Sequence, residues 1–133
     1  MQKARIYGAI IALGLILCTN LQASAEGMEP ELIPMHATAY CLEGITASGT
    51  QVREGIAATG RREWLGMTAV VYQRKPDGTV GEIIGIYEIQ DTGCKPSVID
   101  VWKSPEDCQP FMDRVYEDGC RGKVYVQIIE AEG

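Results

Sequence analysis

The chain has 133 residues, 46% of them hydrophobic, with 18 acidic side chains against 12 Lys and Arg and a formal net charge of −6. A length of this order holds a single domain with one core. The acidic balance argues against nucleic acid as a partner, because its phosphates would be repelled.

The first residues, Met1-Gln2-Lys3-Ala4-Arg5, are short and positive. An apolar run from Tyr7 to Cys18 follows, and then Ala23-Ser24-Ala25 ahead of Glu26. A positive start, an apolar centre and a small-x-small cut are the three parts of a secretory signal peptide, expected here over residues 1–25. The apolar run is shorter than the roughly 20 residues of a membrane span. Cys18 follows Leu15-Ile16-Leu17 and makes a poor lipidation site. Cleavage after Ala25 removes Lys3 and Arg5 and no acid, leaving 108 residues with a net charge of −8. The mature chain is expected to be secreted, with no membrane association after cleavage.

Residues 26–35 are polar and proline-containing and read as a leader. Residues 36–41 are β-prone, and residues 43–55, rich in Gly, Ser and Thr, read as loop. Residues 67–74 (MTAVVYQR) and 80–90 (VGEIIGIYEIQ) read as strands, joined into a hairpin by the turn Pro76-Asp77-Gly78. Two more strands are predicted at 98–102 and 123–130. One helix is predicted over roughly residues 108–117, capped by Asp107, with Pro110 in its first turn and Gly119 as its stop. Cys108, Phe111 or Met112, and Val115 then share one apolar face. Many short strands with Gly-rich turns and one helix point to a small β-barrel or sandwich.

Cys41, Cys94, Cys108 and Cys120 survive cleavage. In an exported domain four cysteines suggest two disulfides, with three connectivities open. Ten helical residues span about 15 Å. The Cα atoms of a disulfide lie within about 7 Å. Cys108–Cys120 is therefore disfavoured, and the other two connectivities stay open. No pair has close C-x-x-C spacing and His36 is the single histidine. No metal site is expected.

The densest polar signal is Asp91-Thr92-Gly93 at a strand end, followed by Ile99-Asp100-Val101-Trp102. Two neighbouring carboxylates, one of them desolvated, are the raw material of general acid chemistry. An Asp in such a position also serves simply to cap a turn. Upstream, Thr46-Ala47-Ser48-Gly49-Thr50 is a hydroxyl-rich turn able to hydrogen-bond a carboxylate or a sugar.

Taken in order, Thr38-Ala39-Tyr40, the turn at Thr46 to Thr50, Gly55-Ile56-Ala57, Leu65-Gly66, Asp91-Thr92-Gly93 and Ile99-Asp100-Val101 resemble the 3D domains. These are named for three aspartates and are related to the catalytic barrel of family A lytic transglycosylases. The resemblance covers residues 36–129. It implies a six-stranded double-psi β-barrel that cleaves peptidoglycan glycan strands between N-acetylmuramic acid and N-acetylglucosamine, giving 1,6-anhydro products without cofactor. Asp100 matches the third aspartate and takes the acid/base role. Asp91 matches the second and takes a positioning or charge-stabilising role. Thr46, Ser48, Tyr40, Thr59 and Trp102 are the candidate substrate-binding residues, the two aromatics by stacking on sugars. Thr59, in Ala57-Ala58-Thr59-Gly60, stands where the first family aspartate is expected, and Cys94 where a second glycine is common. Arg61, Arg62, Glu63 and Trp64 replace a more apolar stretch and read as a surface rim. A secreted, wall-associated monomer is expected. The alternative is a non-catalytic glycan- or wall-binding module on the same barrel.

Overall fold

Strands β1 (Ile33–Tyr40), β2 (Ile56–Thr59), β3 (Thr68–Arg74), β4 (Val80–Asp91), β5 (Val98–Trp102) and β6 (Lys123–Ile129) alternate an inward apolar face with an outward one. In the computed structural model, which describes residues 30–130, they close into a six-stranded barrel in the order β1-β5-β2-β4-β3-β6. The signal segment expected at residues 1–25 lies outside the described residues. β1–β5 and β2–β4 pair in parallel, and the other four neighbours pair antiparallel. Closure gives every strand a partner on each side over part of its length, and no strand is left at a sheet edge.

The interior is filled from every strand, by Ala37, Ala57, Val71, Ile89, Val101 and Val124 among others. β1 starts at Ile33, and Met35 is 2% exposed within this core. The last three residues of the expected leader therefore belong to the barrel. β2 was not expected as a strand, because its four residues are all buried and carry no polar alternation. The predicted hairpin is present as β3 and β4. Its turn closes through Gly78 N–H to Lys75 O at 2.8 Å, with Gly78 at φ +88. Asp77 Oδ1 accepts from both the backbone and the hydroxyl of Thr79.

Helix α1 (Pro105–Tyr116) starts three residues before the predicted span. Ser104, not Asp107, is its N-cap residue, and Pro105 takes the first position, where no N–H is required. Pro110 thus falls inside the helix and leaves the Glu106 carbonyl without its helical donor. Phe111 and Val115 are buried against the barrel, with Met112 partly so, as the apolar face predicts. After Tyr116 the chain reverses through Asp118 and Gly119, both with left-handed φ, and Gly122 N–H returns to Val115 O at 2.8 Å.

The expected disulfides are not formed: Cys41, Cys94, Cys108 and Cys120 are all free thiols. Cys94 is held elsewhere, its thiol donating toward Val98 O at 3.5 Å and Ala58 O at 3.6 Å. Cys120 is buried in the turn before β6. Cys108 lies beside Cys41, and its thiol is pushed up by burial and then by Cys41.

Candidate functional site

The strand registers build one transverse row across four strands. Thr38 on β1 pairs with Asp100 on β5, Asp100 pairs with Ala58 on β2, and Ala58 pairs with Asp91 on β4. Ala37, Ala57, Ile99 and Val101 face the interior, so their neighbours Thr38, Ala58 and Asp100 face outward. With strands about 4.8 Å apart, the Asp91 and Asp100 Cα atoms lie about 10 Å from each other. Ala58, 5% exposed, places a single methyl between the two carboxyl groups.

Asp91 reaches this face through an irregularity. Ala57 pairs with Ile89 and Ala58 with Asp91, so Gln90 is an extra residue in β4. Ile89 is fully buried in the interior. In an uninterrupted ladder Gln90 would stand opposite Ala58 and Asp91 would point inward. The one-residue shift re-aims Asp91 outward. Its Oδ1 accepts from the Thr92 and Ala47 backbone N–H groups, each at 2.9 Å. The second bond ties β4 to the loop after β1. Thr46 holds that loop from within. It is buried, and its hydroxyl meets Ser48, Thr50 and the Thr50 N–H.

Asp100 is half-buried and accepts from Thr38 Oγ1 at 2.7 Å. Burial pushes its carboxyl above the ordinary value, the Thr38 hydroxyl opposes this, and the charge of Asp91 adds to the rise. The Cys94 thiol is likewise raised, chiefly by burial and then by Asp100, which keeps it protonated rather than nucleophilic. Tyr40 is pushed up to about 12 by burial, followed by the charges of Asp91, Asp100 and Cys94. Its hydroxyl is buried without a partner.

The remaining expected site residues divide. Ser48 is exposed, with its hydroxyl donating to Gln90 Oε1 at 2.6 Å, and stands beside the row. Thr46 holds its loop and does not face outward. Trp102 is 7% exposed and its Nε1 donates to Leu42 O at 2.9 Å, so its ring packs and anchors the loop rather than stacking on a ligand. Tyr40 packs with Val52, Ile56 and Trp102 in a second apolar cluster. Thr59 is fully buried, on the opposite side of β2 from Ala58, and its hydroxyl bonds within the turn to Arg61. It is not part of the row. Of the expected rim, Arg62 and Glu63 are exposed, whereas Trp64 is buried under the Arg61 guanidinium, 4.5 Å from its ring centre.

Three residues of the site carried no individual signal. Thr38 is the hydroxyl partner of Asp100, Ala58 is the spacer, and Gly60 is the support for the 94–96 backbone. A Cβ on Gly60 would meet Cys94 O and lie 2.6 Å from Lys95 C and Pro96 N. Their only trace in the sequence is their place in the ordered motifs. Among the described residues no group of three or more His, Cys, Asp or Glu converges to hold a metal ion. The arrangement offers one carboxyl raised above its ordinary value by burial and, beside it, a second that is held in place by two backbone N–H groups. No family model, curated protein or solved structure matches the chain.

Proposed function

We propose that the domain is a secreted, wall-associated lytic transglycosylase acting on peptidoglycan glycan strands, with a double-psi barrel as its scaffold. The supporting observation is the Asp100 carboxyl, raised by burial and by Asp91, on an outward row with Asp91 across Ala58. The two parallel pairs, β1–β5 and β2–β4, support the double-psi reading.

In this reading protonated Asp100 donates to the glycosidic oxygen as the bond from the muramic anomeric carbon breaks. The muramic 6-hydroxyl attacks that carbon and passes its proton to the Asp100 carboxylate, which restores the acid. The products are a 1,6-anhydromuramic end and a free 4-hydroxyl, and water is not consumed. Asp91 holds negative charge near the oxocarbenium-like centre. Thr38 steadies Asp100 in both states.

Purified peptidoglycan incubated with the mature protein is expected to yield anhydro-muropeptides by mass spectrometry, and Asp100→Asn to abolish them. Products with a hydrated reducing end would refute the mechanism. A binding module without catalysis is the second reading, favoured by the burial of Thr59, which supplies no third acid to the row. Sedimentation of the protein with peptidoglycan and no products would establish it.

A further inference from the structure

Among the described residues two buried side-chain polar atoms lack a hydrogen-bond partner, Arg74 Nε and the Tyr40 hydroxyl. The Arg74 side chain is otherwise engaged. Its Nη2 donates to Met35 O at 3.1 Å and its guanidinium lies over Tyr125. The Tyr40 hydroxyl has no such company. Folded proteins rarely leave a buried hydroxyl unpaired, and each such group calls for an explanation, whether strain, a role in chemistry or binding, or an ordered water or ion.

The position of this hydroxyl is informative. Tyr40 and Trp102 form the next register pair along β1 and β5 after Ala39 and Val101, on the same face as Thr38 and Asp100. The Tyr40 ring packs against Val52, Ile56 of β2 and Trp102 of β5 in the second apolar cluster. The acids around it act on it in the order Asp91, Asp100, Cys94. It therefore stays a neutral donor wherever the protein is folded near neutral pH. An anionic acceptor would be repelled by Asp91 and Asp100. A cation has no lone pair to accept with. What fits is a neutral oxygen, such as a sugar hydroxyl or an acetamido carbonyl.

We propose that Tyr40 is a ligand-binding residue whose hydroxyl donates to a neutral oxygen of a glycan bound over Ala58, between Asp91 and Asp100. The assignment rests on the glycan reading above and extends it from the two acids to a donor they lack. It replaces ring stacking, which the packed faces of Tyr40 do not offer.

The test separates ligand binding from structure and from turnover. Asp100→Asn serves as the parent, so that bound strands are not consumed, and co-sedimentation with purified peptidoglycan sacculi gives its apparent affinity. Adding Tyr40→Phe is expected to weaken binding by about tenfold, the usual size of one lost hydrogen bond. The thermal midpoint of the free protein is expected to hold or rise, since the hydroxyl has no partner there to lose. A lowered midpoint with unchanged binding would make Tyr40 a structural residue and overturn the assignment. Unchanged binding and an unchanged midpoint would overturn it too, leaving the glycan reading intact. Failure of the parent itself to bind sacculi would remove the glycan reading, and with it this role for Tyr40.

Discussion

Thr38→Val keeps the shape of the side chain and removes the hydroxyl that donates to Asp100 at 2.7 Å. A hydrogen bond to an ionised carboxylate contributes about 1.5–3 kcal/mol, and one to a neutral partner about 0.5–1.5 kcal/mol. The difference, about 1 kcal/mol, is the part that favours the ionised form. Without it, burial and Asp91 act unopposed and the Asp100 titration moves further up. Folded Asp100 titrates above its unfolded value. Its favourable contribution is therefore complete below the unfolded pKa and is lost as pH rises through the folded one. The variant deepens that loss. It is expected to cost about 1 kcal/mol in acid, where Asp100 is protonated, and about 2 kcal/mol near neutral pH, with half-exposure of both groups keeping the effect from the upper end. Carbon-13 NMR titration of the Asp100 carboxyl and urea unfolding at the two pH values measure both quantities. A midpoint that stays or falls, or an equal loss at both pH values, would refute the reasoning.

Asp91→Asn retains an oxygen to accept from Ala47 and Thr92 but loses the charge. The Asp100 titration is expected to move down in the same NMR experiment while the loop stays in place. Gly60→Ala forces a methyl into the Lys95–Pro96 backbone, 2.6 Å away, and is expected to destabilise by about 1–3 kcal/mol in urea melts. In a chain beginning at Glu26, Cys41, Cys94, Cys108 and Cys120 are expected to react with a thiol reagent after unfolding. Its thermal midpoint is expected not to change on adding reductant.

The elements visible in the sequence are those whose formation is local. The hairpin carries its own turn chemistry at Pro76-Asp77-Gly78, and the α1 face follows from the spacing of Phe111 and Val115. Asp91 and Asp100 stood out as acids next to apolar strands, and both reach the outward face. What the sequence hid depends on the partner strand. The extra residue at Gln90 reverses which way Asp91 points, and only the pairing of β4 with β2 reveals it. Thr59 matched a motif position, yet its parity on β2 turns it away from the row. Trp102 and Tyr40 have side chains that serve a core and a binding face equally well, so composition could not assign them. The helix start was misread because Asp107 and Ser104 are both good caps, and Pro105 at the first position decides between them.

The row also says something about when the domain becomes competent. Thr38, Ala58, Asp91 and Asp100 come from four separate stretches of the chain. Two of the three joins between them require β5 to have already entered beside β1 and β2. The third requires β4 to lie in parallel beside β2, with its extra residue in register. No half of the polypeptide contains the whole row, and a late error in either crossover leaves the acids apart. Under the proposed function, activity is all-or-none with respect to folding, and serves as a readout of complete assembly more stringent than secondary-structure content.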